Sequence, residues 1–267
     1  MSLSYKRNKD FDYIIAYNKI DGVSKPIYYY FNDCSLSDGM GNTPGPVKPG
    51  GPNELFKSIS GDITLNPFVE KNQRFSAFIS GASGSGKSTL ASNLVKKLHK
   101  KDKKKVILIT SSSIRDPAFE EDYIHMFSPD ELLERDAWLE DFGNEDESYN
   151  IIFDDYMANS TKEVNQYVNN LLTAVLKLTR KVGISVFVLT HVTRNGNETK
   201  DSIYECNHAF ITMLDRDNVK KYCKLKLGWS EKNTQTRIDE LKSSRFDFFY
   251  YCKIPPFYGN EKKICAL

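Results

Sequence analysis

The strongest chemical signal in the sequence is a glycine-rich stretch, Gly81-Ala82-Ser83-Gly84-Ser85-Gly86-Lys87-Ser88-Thr89. It matches the pattern GxxxxGK[ST], in which glycines let the backbone curl so that successive N–H groups point at phosphate oxygens. The lysine and the hydroxyl that follow are placed to reach the β- and γ-phosphates and Mg²⁺, respectively. The stretch therefore predicts a phosphate-binding loop for ATP or GTP, with Lys87 on the phosphates and Ser88 on Mg²⁺.

A pair of acidic residues follows a strongly apolar run later in the chain. Ile151-Ile152-Phe153 has the composition of a buried strand and leads directly into Asp154-Asp155. An acid at the end of a strand beside a phosphate-binding loop can hold Mg²⁺, usually through water. We assign Asp154 to the metal and Asp155 to polarising the water that attacks the nucleotide. The alternative interpretation is an ordinary aspartate-rich turn.

A polar residue and three arginines complete the candidate site. The apolar run Ile184–Leu189 leads to His191, where a side chain can sense whether a γ-phosphate is present. Arg180 ends the long helix predicted before this run, and Arg194 and Arg216 follow predicted strands. An arginine that reaches the γ-phosphate of a neighbouring subunit accelerates hydrolysis by about 10³ to 10⁵. Arg180 is our candidate for that role, and a solvated surface charge is the alternative for each arginine.

The elements expected around these residues alternate between strands and helices. Each predicted strand is nearly all apolar, which is typical of a parallel sheet covered on both faces. We predict an α/β fold with a mostly parallel sheet flanked by helices and antiparallel strands near the C-terminus. Predicted strands are 75–80, 106–110, 150–153, 184–190 and 209–213; predicted helices are 87–99 and 162–181; 117–142 is a polar helix-forming region, and 222–229 and 245–254 form a β-rich tail.

The N-terminal residues have a different composition. Residues 12–17 and 26–31 are rich in aromatic and β-branched residues and predict two short strands around an Asp21-Gly22 turn. Residues 35–52 are dense in Gly, Pro, Ser and Asp, which indicates a flexible linker because this composition cannot bury a core. We therefore divide the chain into a small N-terminal β appendage with its linker, 1–54, and a phosphate-loop domain, 55–267.

Composition limits the possible partners and the setting. The net charge is +2 over 267 residues, so a nucleic-acid surface must come from local clustering or from assembly. The stretch Lys96–Lys105 contains seven lysines, which we interpret as solvated cations at a helix C-terminus. Five cysteines without a CxxC spacing argue against a disulfide framework or a zinc site and favour a reducing, intracellular setting. We expect no signal peptide and no membrane span.

The motifs resemble a known superfamily when they are taken together. The phosphate-binding loop, the Asp154-Asp155 strand and the stretch Arg180-Lys-Val-Gly-Ile184 that continues to His191 are similar to those of the FtsK/HerA DNA-pumping ATPases. Within that superfamily the chain looks most like the genome-packaging ATPases of large double-stranded DNA viruses and virophages, the poxvirus-type branch. Ser244-Arg245 is similar to a Ser-Arg pair near the C-terminal strand of that branch. The resemblance covers residues 74–254 by motif, and His191 stands where relatives often carry Gln.

The resemblance implies a RecA-like P-loop NTPase that hydrolyses ATP with Mg²⁺ between the subunits of a hexameric or pentameric ring. Such a ring threads double-stranded DNA through its centre and docks on capsid or portal-vertex proteins, in the host cytoplasm, a viral factory or the virion. No membrane association is implied. The roles it implies are phosphate and Mg²⁺ binding for Lys87 and Ser88, metal binding for Asp154, water activation for Asp155, phosphate sensing for His191 and a trans-acting finger for Arg180.

Two other functions compete with a DNA motor. Asn18-Lys19-Ile20-Asp21 has the form NKxD, a guanine-reading motif, and would suit a circularly permuted GTPase that acts as a binding switch. No DxxG follows Asp154 or Asp155, which weakens this reading. A nucleoside or nucleotide kinase is the second alternative. It would need an arginine-rich lid, whereas residues 193–200 contain a single arginine.

Overall fold

Apolar runs of strand length alternate with amphipathic stretches along much of the chain, and the computed structural model shows the elements that result. The structure describes residues 2–5, 13–30, 58–66, 75–135, 149–156, 161–191, 200–214, 216–241, 248–253 and 256–267. Two compact units are present: a larger one from Lys71 to Tyr250, and a smaller one that combines Met1–Glu70 with Tyr251–Leu267. The tail therefore groups with the N-terminal residues, a pairing that the division into 1–54 and 55–267 did not include.

The strands are numbered along the whole chain. They are β1 (Ser2–Ser4), β2 (Tyr13–Ile20), β3 (Val23–Tyr30), β4 (Ser58–Ser60), β5 (Asp62–Leu65), β6 (Ser76–Ser80), β7 (Val106–Ile109), β8 (Ile124–Phe127), β9 (Asn150–Asp154), β10 (Val186–Thr190), β11 (His208–Thr212), β12 (Phe248–Lys253), β13 (Pro256–Gly259) and β14 (Lys263–Ala266). The helices are α1 (Lys87–Asp102), α2 (Pro129–Glu134), α3 (Lys162–Val182), α4 (Lys200–Glu205), α5 (Arg216–Tyr222) and α6 (Glu231–Glu240). A 3₁₀ turn spans Pro117–Phe119 and a π-helical segment spans Cys223–Leu227.

A parallel sheet forms the centre of the larger unit. Its strand order is β11-β6-β10-β9-β7-β8, and neighbouring strands run in the same direction. β6, β7 and β11 are buried along their whole length, and helices α1 and α3 bury apolar stripes. The predicted parallel α/β sheet is therefore confirmed. Because β10 lies between β6 and β9, the ends of these three strands are neighbours at one edge.

The smaller unit is built from antiparallel strands. β2 and β3 form the predicted hairpin, in which Asp21 and Gly22 have φ of 50° and 79°, the left-handed values that a two-residue hairpin turn requires. β1 and β5 pair with the outer edges of this hairpin. β4, β14 and β13 form a second antiparallel group, and the Tyr29 hydroxyl donates to the carbonyl of Pro256 at 2.9 Å. Antiparallel strands near the C-terminus are thus confirmed.

Two sequence predictions about local structure are wrong. Residues 222–229 are helical rather than β-rich, because the chain continues from α5 into the π-helical segment, which Gly228 ends at φ 64°. Residues 117–142 are not simply helical: within the part described, the 3₁₀ turn and α2 flank β8, which pairs in parallel with β7. Only Ile124 of β8 is fully buried, so this edge strand lacks the apolar run that predicted the others.

Two further predictions concern the linker and the cysteines. The Gly/Pro-rich stretch 35–52 lies outside the residues that the structure describes. Four cysteines lie in the described ranges and all are buried; they are Cys206, Cys223, Cys252 and Cys265. The expected absence of a disulfide framework stays a prediction.

Candidate nucleotide site

The glycine-rich loop connects the end of β6 to the start of α1, as the sequence predicts. Gly84 and Gly86 have φ of 71° and 86°, the left-handed region that glycine enters without a Cβ penalty. Gly86 is the N-cap residue of α1, and no side chain caps this helix end. The first N–H groups of the helix are therefore available to an anion, and the helix dipole favours negative charge at this position.

The first glycine of the loop is required by close packing. The Gly81 N–H donates to the carbonyl of Thr190 at 3.1 Å, which ties the loop to the end of β10. A Cβ at Gly81 would lie 2.5 Å from Cγ2 of Thr212 and 2.6 Å from Oγ of Ser85. Strands β10 and β11 thus hold the loop against the sheet, and a larger residue at this position would push it away.

Strand register brings the acidic pair to the same edge as the loop. β10 pairs Thr190 with Ser80 on one side and Leu189 with Asp154 on the other. Asp155 has φ 45°, a left-handed conformation that aspartate tolerates at modest strain and that is enriched at functional sites. The turn directs Asp155 toward the end of β10, where its Oδ1 lies 2.8 Å from Nε2 of His191.

Lys87 is buried within the loop. The residue is only 7% exposed, and its Nζ donates to the carbonyl of Ala82 at 3.2 Å. Burial lowers the pKa of Lys87, whereas the carboxylates of Asp155, Asp154 and Asp116 oppose that shift. The ammonium therefore sits in an anionic environment before any phosphate enters.

The pKa of Asp154 is shifted upward, whereas that of Lys87 is lowered. Burial, together with the neighbouring carboxylates of Asp155 and Asp116, raises the pKa of Asp154 to about 6, and the opposing effects of Lys87 and His191 are included in that value. An ionised Asp154 is therefore held at a cost that a bound cation relieves. This is the electrostatic pattern expected of a metal ligand.

A cleft of about 300 Å³ brings the predicted residues together. Lys87, Ser88, Asp154, Asp155 and His191 all line it. The complete lining is Ser83, Gly84, Gly86, Lys87, Ser88, Thr89, Asp116, Asp154, Asp155 and His191. Sequence reasoning missed Asp116, although it also follows an apolar strand, β7, of the same parallel sheet.

Of the three candidate arginines, the structure describes the side chain of Arg216. Arg180 lies within α3, but its side chain is outside the described residues, as are Arg194, Ser244 and Arg245. Arg216 is half-exposed and donates from Nη1 to Oδ1 of Asp239 at 2.9 Å. The guanidinium of Arg216 is thus engaged within its own chain, whereas the trans-acting role of Arg180 remains a prediction.

The donors in the cleft fit Mg²⁺ bound together with a triphosphate. In the described ranges there is no group of three or more His, Cys, Asp or Glu side chains arranged to hold a metal by themselves. Mg²⁺ is commonly bound by one or two carboxylates, with water and substrate phosphates as the other ligands. The Ser88 hydroxyl and the Asp154 carboxylate are the hard oxygen donors that suit such an ion, and the glycine loop would supply the phosphate contacts.

Similarity to known proteins is confined to structure. No protein-family model matches the sequence, and no curated protein matches it. The genome packaging NTPase B204 from Sulfolobus turreted icosahedral virus 2, in complex with ATP-gammaS, is 13% identical over 71% of this chain and 97% of that chain, with a TM-score of 0.47. The pCW3 conjugation coupling protein TcpA with ATPgS is 12% identical over 79% of this chain and 66% of that chain, with a TM-score of 0.50. The cytoplasmic domain of the Thermomonospora curvata Type VII secretion ATPase EccC is 12% identical over 72% of this chain and 25% of that chain, with a TM-score of 0.45.

The fold and the glycine-rich loop together define a P-loop ATPase fold. The TcpA structure, at a TM-score of 0.50, supports the same fold for this chain, which is the α/β fold of a P-loop ATPase. The predicted fold class is therefore confirmed. Across the part of the chain that the structure describes, every helix is too short or too polar to cross a lipid bilayer.

Proposed function

We propose that this chain is an ATP-driven translocase of double-stranded DNA that packages a viral genome into its capsid, hydrolysing ATP at sites shared between the subunits of a ring. The observation that supports hydrolysis is the convergence of Lys87, Ser88, Asp154, Asp155 and His191 on one cleft. The DNA-moving role is supported by the motif resemblance to packaging ATPases and by the P-loop ATPase fold shared with the conjugation coupling protein TcpA.

The contacts suggest how the chain's own groups act on ATP. The Lys87 ammonium exchanges the carbonyl of Ala82 for phosphate oxygens, while the loop N–H groups hold the phosphates. Ser88 and Asp154 would hold Mg²⁺, which would neutralise negative charge on the phosphates when bound. Asp155 orients the attacking water and accepts its proton.

The Asp155–His191 pair gives the site a means to respond to the γ-phosphate. His191 lies 2.8 Å from Asp155 and both side chains are about half-exposed, so either can change partner at little cost. When a γ-phosphate enters, the imidazole can exchange the carboxylate for a phosphate oxygen. Asp155 is then released to the attacking water, which links phosphate sensing by His191 to hydrolysis.

The proposal is tested by the ATPase rate with and without duplex DNA, measured beside the mass in solution with ATP. We expect duplex DNA to raise the rate and the mass to correspond to a hexamer or pentamer. Lys87→Ala should lower kcat by at least about a hundredfold, because an electrostatic contact to the transition state is lost. Lys97→Ala, which changes an exposed lysine of the same helix, is the matched control and should leave kcat unchanged.

The structure gives the competing GTPase motif another explanation. Asn18 of the NKxD sequence is buried in β2, where its Nδ2 donates to the hydroxyl of Tyr5 at 2.6 Å and to the carbonyl of Ser60 at 3.3 Å. Asp21 is in the hairpin turn. These residues build the smaller unit, so guanine recognition is not needed to explain them. Strict GTP selectivity without DNA stimulation would contradict the motor, and phosphate transfer to a nucleoside acceptor would favour the kinase.

A further inference from the structure

The loop after β7 brings a further acidic residue, Asp116, to the nucleotide cleft. β7 pairs in parallel with β9, with Ile109 opposite Phe153, so the loop that follows β7 leaves the sheet beside Asp154 and Asp155. β10, which leads to His191, flanks β9 on the other side. Asp116 therefore enters the cleft from the side of the acidic pair opposite to His191.

The backbone around Asp116 holds its carboxylate in place. Oδ1 accepts a hydrogen bond from the Ala118 N–H at 2.9 Å, and the Phe119 N–H donates to the carbonyl of Asp116 at 2.8 Å. Pro117 fixes the first φ of the 3₁₀ turn, and the fully buried Phe119 ring anchors the turn in the core. The neighbouring Arg115 donates to the carbonyl of Ile124 at 3.1 Å and so is directed toward β8.

The charge balance of the cleft calls for a cation beyond Lys87. Of the residues that line it, Lys87 is the permanent cation, and it faces the carboxylates of Asp116, Asp154 and Asp155. A triphosphate adds more negative charge, which a cation between the phosphates and these carboxylates would offset.

We propose that Asp116 is a positioning residue of the metal–phosphate site, whose carboxylate holds water ligands of the Mg²⁺ that accompanies ATP. This inference rests on the proposed function above and adds an outer-shell residue to it. Outer-shell hydrogen bonds orient the ligands of a metal, and their loss typically weakens metal affinity by about 10- to 100-fold. The water shell suits Asp116 better than direct ligation, because Asp116 is exposed and Mg²⁺ usually keeps several waters beside one or two carboxylates.

The competing explanation is that Asp116 only caps the 3₁₀ turn. Asp116→Asn separates the two, because the amide oxygen can still accept from Ala118 while the negative charge is lost. Asp116→Ser is a second variant that keeps a capping oxygen and removes the carboxylate. Asp122→Asn is the matched control: it neutralises an exposed aspartate that does not line the cleft, in the segment between the same turn and β8.

The test measures Mn²⁺ binding by electron paramagnetic resonance in the presence of ATPγS, and ATPγS binding in EDTA by calorimetry. For Asp116→Asn we expect Mn²⁺ affinity to fall by about tenfold and metal-free ATPγS affinity to rise, because repulsion between the carboxylate and the phosphates is removed. Asp116→Ser should behave in the same way, and Asp122→Asn should match the unmodified protein. Opposite changes in the two affinities are a signature that loss of a turn cap does not produce.

The outcomes separate this inference from the proposed function. If the unmodified protein binds neither ATPγS nor Mn²⁺ with ATPγS, the proposed function fails and this inference fails with it. If binding is present and lost in Lys87→Ala but unchanged in Asp116→Asn and Asp116→Ser, only the role of Asp116 is overturned. Equal weakening of both affinities, together with a lower Tm, would assign Asp116 to the turn alone.

Discussion

At the scale of single residues, burial in the cleft disfavours the charged forms of Lys87 and Asp154. Lys87 is buried near carboxylates, and Asp154 is partly buried beside two other acids, so burial lowers the pKa of Lys87 and raises that of Asp154. Such opposing perturbations in one cleft are typical of sites that await a charged ligand. The charge of Asp154 is therefore useful to metal binding and unfavourable to the protein without metal.

The pH dependence of stability tests the charge of Asp154. Its pKa is about 6 in the folded protein against an ordinary value of 3.8, so its contribution to stability is present in full below about pH 3.8 and is lost as the pH rises through about 6. Asp154→Asn does not lose stability in this way as the pH rises, because the asparagine side chain does not ionise. In EDTA, the Tm of the variant relative to the unmodified protein should rise by on the order of 2–5 °C between pH 4.5 and pH 7.5. A difference in Tm that is independent of pH would contradict the raised pKa.

At the scale of elements, the phosphate-binding loop depends on how three strands and one helix meet at one end of the sheet. β6 leads into the loop, β10 accepts the Gly81 N–H through Thr190, and β11 packs Thr212 against Gly81. The loop conformation is therefore set by contacts with neighbouring strands as well as by its own glycines. A smaller residue in place of Thr212 in β11 should therefore let the loop accept a larger residue at Gly81.

Close packing at Gly81 can be tested with a compensating pair. Gly81→Ala places a methyl group against Thr212 Cγ2, and overpacking of this kind costs about 1–3 kcal/mol. We expect lower Tm and weaker ATPγS binding, both partly restored in Gly81→Ala/Thr212→Ser, which removes Cγ2. Gly84→Ala is the control: a Cβ there meets no atom within 4 Å, and its strain comes from φ 71°, so Thr212→Ser should not rescue it. Equal rescue of both variants would contradict a local clash.

At the scale of the whole molecule, the proposal requires each site to be completed by another copy of the chain. Lys87, Asp154 and His191 line the cleft, whereas Arg216 is paired with Asp239 within the chain. In our proposal the cation that completes the site is Arg180 of a neighbouring subunit. Sites of this kind need a head-to-tail interface, which closes into a ring.

Mixing two inactive variants tests whether sites are shared. Arg180→Ala should bind ATP but lose about 10³-fold or more in hydrolysis, and Lys87→Ala should lose phosphate binding. In rings assembled from an equal mixture, about a quarter of the sites combine an intact Lys87 with an intact Arg180 and should hydrolyse ATP. The ATPase rate of the mixture, compared with each variant alone, measures this. Full turnover by Arg180→Ala alone would show that the assignment is wrong, and an inactive mixture would contradict shared sites.

The sequence by itself determined the phosphate-binding loop and the parallel sheet that supports it. Both follow from local rules: glycine, lysine and hydroxyl at fixed spacing, and apolar runs that can only be buried on both faces. The hairpin around Asp21-Gly22 followed from the same kind of rule, because turn residues with left-handed φ are few. Residues 222–229 were predicted to be β-rich, whereas continuation from α5 produced a helical segment there.

Only the tertiary structure decided which of the polar and charged residues line the same cleft. Strand order placed β10 between β6 and β9 and β7 beside β9, and this arrangement carries His191 and Asp116 to the acidic pair. Asp116 belongs to no motif and comes several residues after the apolar strand β7, so the sequence carried only a weak signal for it. Likewise Asn18 belongs to a motif but is used in packing. The physical reason is that motifs record local backbone and charge requirements, while a site is assembled by strand pairing between residues far apart in the chain.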